Sequence, residues 1–69
     1  MTFKQNLRKL RKAKRVSQTE LADYLGISQR TISHYENGTA EPSLSCLCQI
    51  ADYLNVSLDD LLGRVFPNI

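Results

Sequence analysis

The feature that most restricts how this chain folds is the run from Ser17 to Gly38, SQTELADYLGISQRTISHYENG. Ser17 and Ser28 are each placed to offer a side-chain oxygen to an unpaired amide one turn on, so each starts a helix. Ser17 through Glu20 fits a capping box, with Glu20 reaching back to the Ser17 amide. Leu21, Ala22 and Leu25 then form an apolar stripe at helical spacing. Gly26 supplies a left-handed residue at little cost, and Ile27 can fold back onto the first of the two helices. Two short helices with a glycine joint make a helix-turn-helix candidate.

The second helix of the pair is polar on one side for no reason that a core supplies. At roughly 100° per residue, Ile32 and Tyr35 fall together, flanked by Thr31 and Glu36, while Gln29, Arg30, Ser33, His34 and Asn37 gather opposite. A merely solvated face more usually carries Lys and Glu in helix-stabilising pairs. These five residue types hydrogen-bond base edges or phosphates in a major groove. Taken alone, such a face fits either description.

Context favours the groove, because the sequence resembles the lambda-repressor-like helix-turn-helix regulators of Cro/cI and xenobiotic-response-element type. The resemblance rests on Ser17-Gln18-x-Glu20-Leu21-Ala22, Leu25-Gly26-Ile27-Ser28-Gln29, Thr31-Ile32-Ser33, Tyr35-Glu36-Asn37-Gly38 and Pro42-Ser43-Leu44. It continues through Ile50-Ala51-x-x-Leu54-x-Val56-Ser57 to Leu61-Leu62, and so covers about residues 3 to 63. It implies an all-α, compact five-helix domain in which helices 2 and 3 form the helix-turn-helix. It also implies that Gln18 contacts the DNA backbone and buttresses Gln29, which reads a base, often adenine through N6 and N7. Arg11 and Glu36 match positions that form a partly buried ion pair tying the first helix to the recognition helix.

The remaining candidates stay open between uses. Ser28 caps the recognition helix and belongs with the DNA-facing set. Gln18 and Gln29 both sit at helix N-termini, where free amides and the dipole favour a phosphate. Arg30 suits guanine O6 and N7 or a phosphate equally. Ser33 follows on the same face. His34 serves a base, a phosphate or only solvent, and it lacks partners for metal binding or catalysis. Asn37 can reach a phosphate or simply precede the turn at Gly38. Relatives often carry Lys or Arg in the following loop, whereas Thr39, Ala40 and Glu41 bring none, which predicts a shallower salt dependence.

Charge is strongly asymmetric. Seven of the nine basic residues (Lys4, Arg8, Lys9, Arg11, Lys12, Lys14 and Arg15) lie in the first fifteen positions; the rest of the chain has two basic against seven acidic residues. A basic helix over 3–14, with Phe3, Leu7 and Leu10 on its apolar side, is either a polyanion-facing element or a soluble outer face. At Arg15 many relatives have glycine, so Arg15 either adopts a left-handed conformation, at roughly 1 kcal/mol, or the loop takes another path.

Further on, Ser43 and Ser57 are two more caps. A helix over about 44 to 54 turns Leu47, Ile50, Ala51 and Leu54 inward, with Cys48 near that stripe and Cys46 at its edge. A last helix over roughly 58 to 62 carries Leu58, Leu61 and Leu62 and ends at Gly63. Cysteines two apart on a helix cannot pair, and one His gives no zinc set. Free thiols fit a reducing, cytoplasmic compartment, and no apolar run reaches membrane-spanning length. The tail 64–69 is apolar at Val65, Phe66 and Ile69, which pack on the domain or on a second copy.

The reading is therefore a single DNA-binding domain acting as a transcriptional regulator, expected to be a repressor. Its partner is a near-palindromic double-stranded operator bound as a homodimer, in some cases formed only on DNA. No cofactor, metal, membrane or small-molecule ligand is expected, and no catalytic constellation can be assembled. The alternative is a protein-interaction module, such as an antitoxin, built on the same fold.

Overall fold

A computed structural model describes residues 2–63 as five α-helices. These are α1 (Phe3–Ala13), α2 (Gln18–Leu25), α3 (Gln29–Asn37), α4 (Leu44–Leu54) and α5 (Leu58–Leu62), and no strand occurs among the described residues. Four of the five start alike. The hydroxyls of Ser17, Ser28, Ser43 and Ser57 accept from the amides of Glu20, Thr31, Cys46 and Asp60, each cap contributing about 1 kcal/mol. At the head of α1 the Thr2 amide donates to Gln5 Oε1 at 3.1 Å.

Left-handed residues stop the helices. Gly26 (φ 71°) closes α2, and its amide reaches back to the last turn, so α3 can begin three residues later. Arg15 takes the same conformation (φ 58°) between α1 and α2. Of the two paths open to that loop, the strained one is used, at about 1–2 kcal/mol.

Side chains of all five helices meet in one core. Leu7, Leu21, Ile32, Ile50, Leu54 and Leu61 are fully buried, and Ala22 and Ala51 fill the remaining space. Each of the six large residues supplies about 1.5–3 kcal/mol of hydrophobic stabilisation. α3 is held from two sides, by α2 and by α1, while α4 and α5 close the core behind them. On the outside, Tyr24 of α2 stacks on Tyr53 of α4 with ring centroids 4.5 Å apart.

One placement differs from expectation. Cys48 is exposed, and Cys46 is the cysteine that packs on the core. The inward stripe of α4 is centred by Leu47, Ile50, Ala51 and Leu54, and on the helical wheel Cys46 lies nearer that centre than Cys48. Burial pushes the Cys46 thiol up, although the Tyr35 hydroxyl beside it pulls the other way. It therefore stays protonated at neutral pH and acts as a small apolar side chain. The apolar tail positions Val65, Phe66 and Ile69 lie outside the described residues.

Candidate nucleic-acid interface

The site is built outward from a buried carboxylate. Glu36 lies on the inner side of α3 and is 4% exposed. Arg11 of α1 grips it with two bonds, Nε to Oε2 at 2.6 Å and Nη2 to Oε1 at 3.1 Å. The remaining Arg11 nitrogen, Nη1, donates to the Val16 carbonyl at 2.8 Å, so the same guanidinium also fixes the loop after α1. Arg8 adds a longer contact to Glu36 at 3.4 Å, and its Nη2 reaches Asn37 Oδ1 at 3.4 Å. Burial raises the Glu36 pKa, but hydrogen bonds from Arg11 and Gln18 and the Arg11 charge outweigh it. The carboxyl therefore titrates below its usual range.

An ionised carboxylate only accepts, and this sets the polarity of everything beyond it. Gln18, the first residue of α2, must turn its NH2 toward Glu36, and it donates to Oε1 at 3.1 Å. Its own carbonyl then faces outward, where the Gln29 side-chain NH2 donates to it. Gln29 is left with its carbonyl and one N–H on the exposed start of α3. One donor beside one acceptor is the pattern that pairs with the N6 and N7 edge of adenine. The relay from Arg11 through Glu36 and Gln18 thus orients the Gln29 side chain, and the Gln18–Gln29 contact implied by the resemblance is present, with Glu36 behind it.

The other positions are distributed along the same side of α3. Ser28, Gln29, Arg30, His34 and Asn37 are exposed, whereas Ser33 and Gln18 are half-buried. Ser28 and Thr31 share a hydroxyl–hydroxyl bond of 2.9 Å at the start of the helix. Asn37 donates to Ser33 at 3.3 Å, so those two are already in contact. His34 Nδ1 lies 2.7 Å from the Thr39 hydroxyl, which pins the imidazole to the turn after α3. Among the described residues Arg30 forms no ion pair.

Sequence reasoning missed two links: the hydrogen bond from Gln18 to Glu36, and the bridge from Arg8 to Glu36 and Asn37. The first depends on two helices meeting and has no local signal. The second had one, because Lys4, Arg8 and Lys12 recur every four residues and so share a side of α1. Among the described residues no group of His, Cys, Asp and Glu is arranged to hold a metal ion. No described helix is long and apolar enough to cross a membrane.

Comparison with known proteins agrees with the five-helix fold. A family model described as helix-turn-helix matches residues 7–61. The HTH-type transcriptional regulator YqaE of Bacillus subtilis is 45% identical over 60 residues, covering 87% of this chain and 52% of that protein. RstR, a cryptic phage CTXphi transcriptional repressor of Vibrio cholerae, is 41% identical over 64 residues, covering 93% of this chain and 57% of that protein. The chain spans about half the length of the curated relatives it matches. Among solved structures, the P22 c2 repressor in complex with a synthetic operator superposes with a TM-score of 0.82 at 29% identity. That match covers 90% of this chain and 94% of the other.

Proposed function

The chain belongs to the helix-turn-helix family of transcriptional regulators, and from that premise we propose that it is a sequence-specific, double-stranded-DNA-binding repressor. In this reading α3 enters the major groove, Gln29 reads a base, and Gln18 faces the sugar–phosphate backbone while holding Gln29 in register. Ser28, Arg30, Ser33, His34 and Asn37 complete the contact face, the polar ends contacting phosphate and the middle contacting bases. The observation that carries the reading is the exposed Gln29 amide aligned by Gln18, itself aligned by a buried ion pair. A face that only needed solvation would have no use for such a relay. The operator-bound P22 c2 repressor, alike in fold over nearly its whole length, supports the same assignment.

One helix of nine residues covers only a few base pairs. Useful specificity therefore calls for two copies of the chain on a near-palindromic site, with half-sites about 34 Å apart. In this reading the chain acts by binding rather than catalysis, in the cytoplasm, through its helix-turn-helix domain. The test is selection of random duplex DNA on the purified protein at about 100 mM salt, an ionic strength at which phosphate contacts still count, with Gln29→Ala alongside. An enriched palindrome whose half-site preference relaxes in Gln29→Ala is the expected outcome. Unchanged relative affinities across altered half-sites in that variant would refute the base-reading role. Tight capture of a cellular protein with weak DNA binding would favour an antitoxin-like module instead.

A further inference from the structure

We propose that Lys4, Arg8 and Lys12 of α1 form a second track for the DNA sugar–phosphate backbone, flanking the C-terminal end of α3. This rests on the double-stranded-DNA reading above. At four-residue spacing the three cations run along one side of α1, spanning about 12 Å at 1.5 Å per residue. They line an open groove of about 470 Å³ between α1 and the end of α3, whose other walls include Glu36 and Asn37. The track is continuous with the contact face, because the Arg8 guanidinium already touches Asn37 Oδ1.

Lys4 marks where the track meets the turn after α3. Its side chain lies over Gly38, where an added Cβ would come within 2.9 Å of Lys4 Cδ and 3.3 Å of Nζ. The turn 38–42 has no cation of its own and contains Glu41. Lys4 thus delivers a positive charge from a different helix to a turn that lacks one. Glu36 is the carboxylate that lines this groove, and Arg11 is already paired with it. Among the described residues, neither Lys4 nor Lys12 is engaged in an ion pair. Two unpaired ammonium groups beside a groove-reading helix match a phosphate backbone, which offers one charge per about 3.4 Å of axis on each strand. They carry no sequence information themselves.

The experiment compares wild type, Lys4→Gln/Lys12→Gln and Lys14→Gln on the duplex that wild type enriches from a random library. Arg8 is left in place because it also holds Glu36 and Asn37. Lys14 is exposed and does not line the groove, so it controls for net charge. Affinity is measured from 50 to 200 mM salt and on a panel of altered half-sites. The double variant is expected to lower the slope of log affinity against log salt by about 1.8, or 0.9 per lost phosphate contact. Its loss of affinity over that salt range should then be about 12-fold smaller than that of wild type. The ranking of half-sites should stay the same, and Lys14→Gln should follow wild type. A double-variant slope equal to wild type, a Lys14→Gln slope reduced as much per charge, or a reordered half-site ranking would each overturn the track. With wild-type selection intact, those results leave the DNA reading standing. A wild type that enriches no sequence would overturn that reading and the track with it.

Discussion

Ile32 and Glu36 stand one turn apart on the inner side of α3, both buried, and they hold the same helix by different physics. Ile32 is held by the apolar core, where attraction is non-directional and any well-shaped neighbour contributes. Glu36 is held by specific donors at specific distances, and its burial is tolerable only because Arg11 and Gln18 satisfy it. The difference matters because the two anchors do different things. The Ile32 anchor keeps α3 on the domain, and the Glu36 anchor also fixes how Gln18 and Gln29 point. A repacked core could replace the first without touching the contact face. Nothing apolar could replace the second and still orient an amide.

The sharpest way to break the comparison is Glu36→Ala, which leaves the Arg11 guanidinium buried without its partner. A loss of about 3–5 kcal/mol is expected by urea denaturation, enough to threaten a domain of this size. A loss below about 1 kcal/mol would make the pair an ordinary surface contact. A smaller effect comes from acid. The folded-state pKa of Glu36 is depressed, so its contribution to stability is complete above about 4.3, the ordinary Glu value. That contribution disappears as pH falls through the lower folded-state value. An Arg11→Met/Glu36→Leu variant should lack this component and lose less stability than wild type over the same acid range. Parallel acid profiles would show that the network is not what acid attacks. Smallest is Ile32→Val, which removes one methylene from the apolar anchor and should cost about 0.5–1.5 kcal/mol. Half-site preference should be the same in Ile32→Val as in wild type, since the relay to Gln29 does not pass through Ile32.

Much of the molecule could be read from local signals. Ser17, Ser28, Ser43 and Ser57 begin their helices because a hydroxyl before an apolar-periodic run has a nearby amide to bond. Gly26 and Gly38 end theirs because a left-handed residue is cheapest without a Cβ. The apolar positions of α1 to α5 could be assigned because burial follows a period of 3.6 residues. Two local readings were harder. Arg15 adopts the left-handed conformation without being glycine, and the Arg11 bond to the Val16 carbonyl shows how the loop after α1 is held in that path. Cys46 and Cys48 flank the α4 stripe on opposite sides at nearly equal angles from its centre, so periodicity separates them only weakly and packing against the neighbouring helices leaves Cys48 outside.

Neighbouring residues in the chain thus dictate where each helix starts, where it stops and which side is apolar, since capping, turn geometry and periodicity all act within a few positions. The polar relay is of another kind. Glu36 is 25 positions from Arg11 and 18 from Gln18, and Lys4 reaches Gly38 across two helices. No local rule relates such residues. Their meeting follows from how α1 and α2 pack on α3, because an electrostatic contact needs its partners within hydrogen-bonding distance and only the assembled core brings them there.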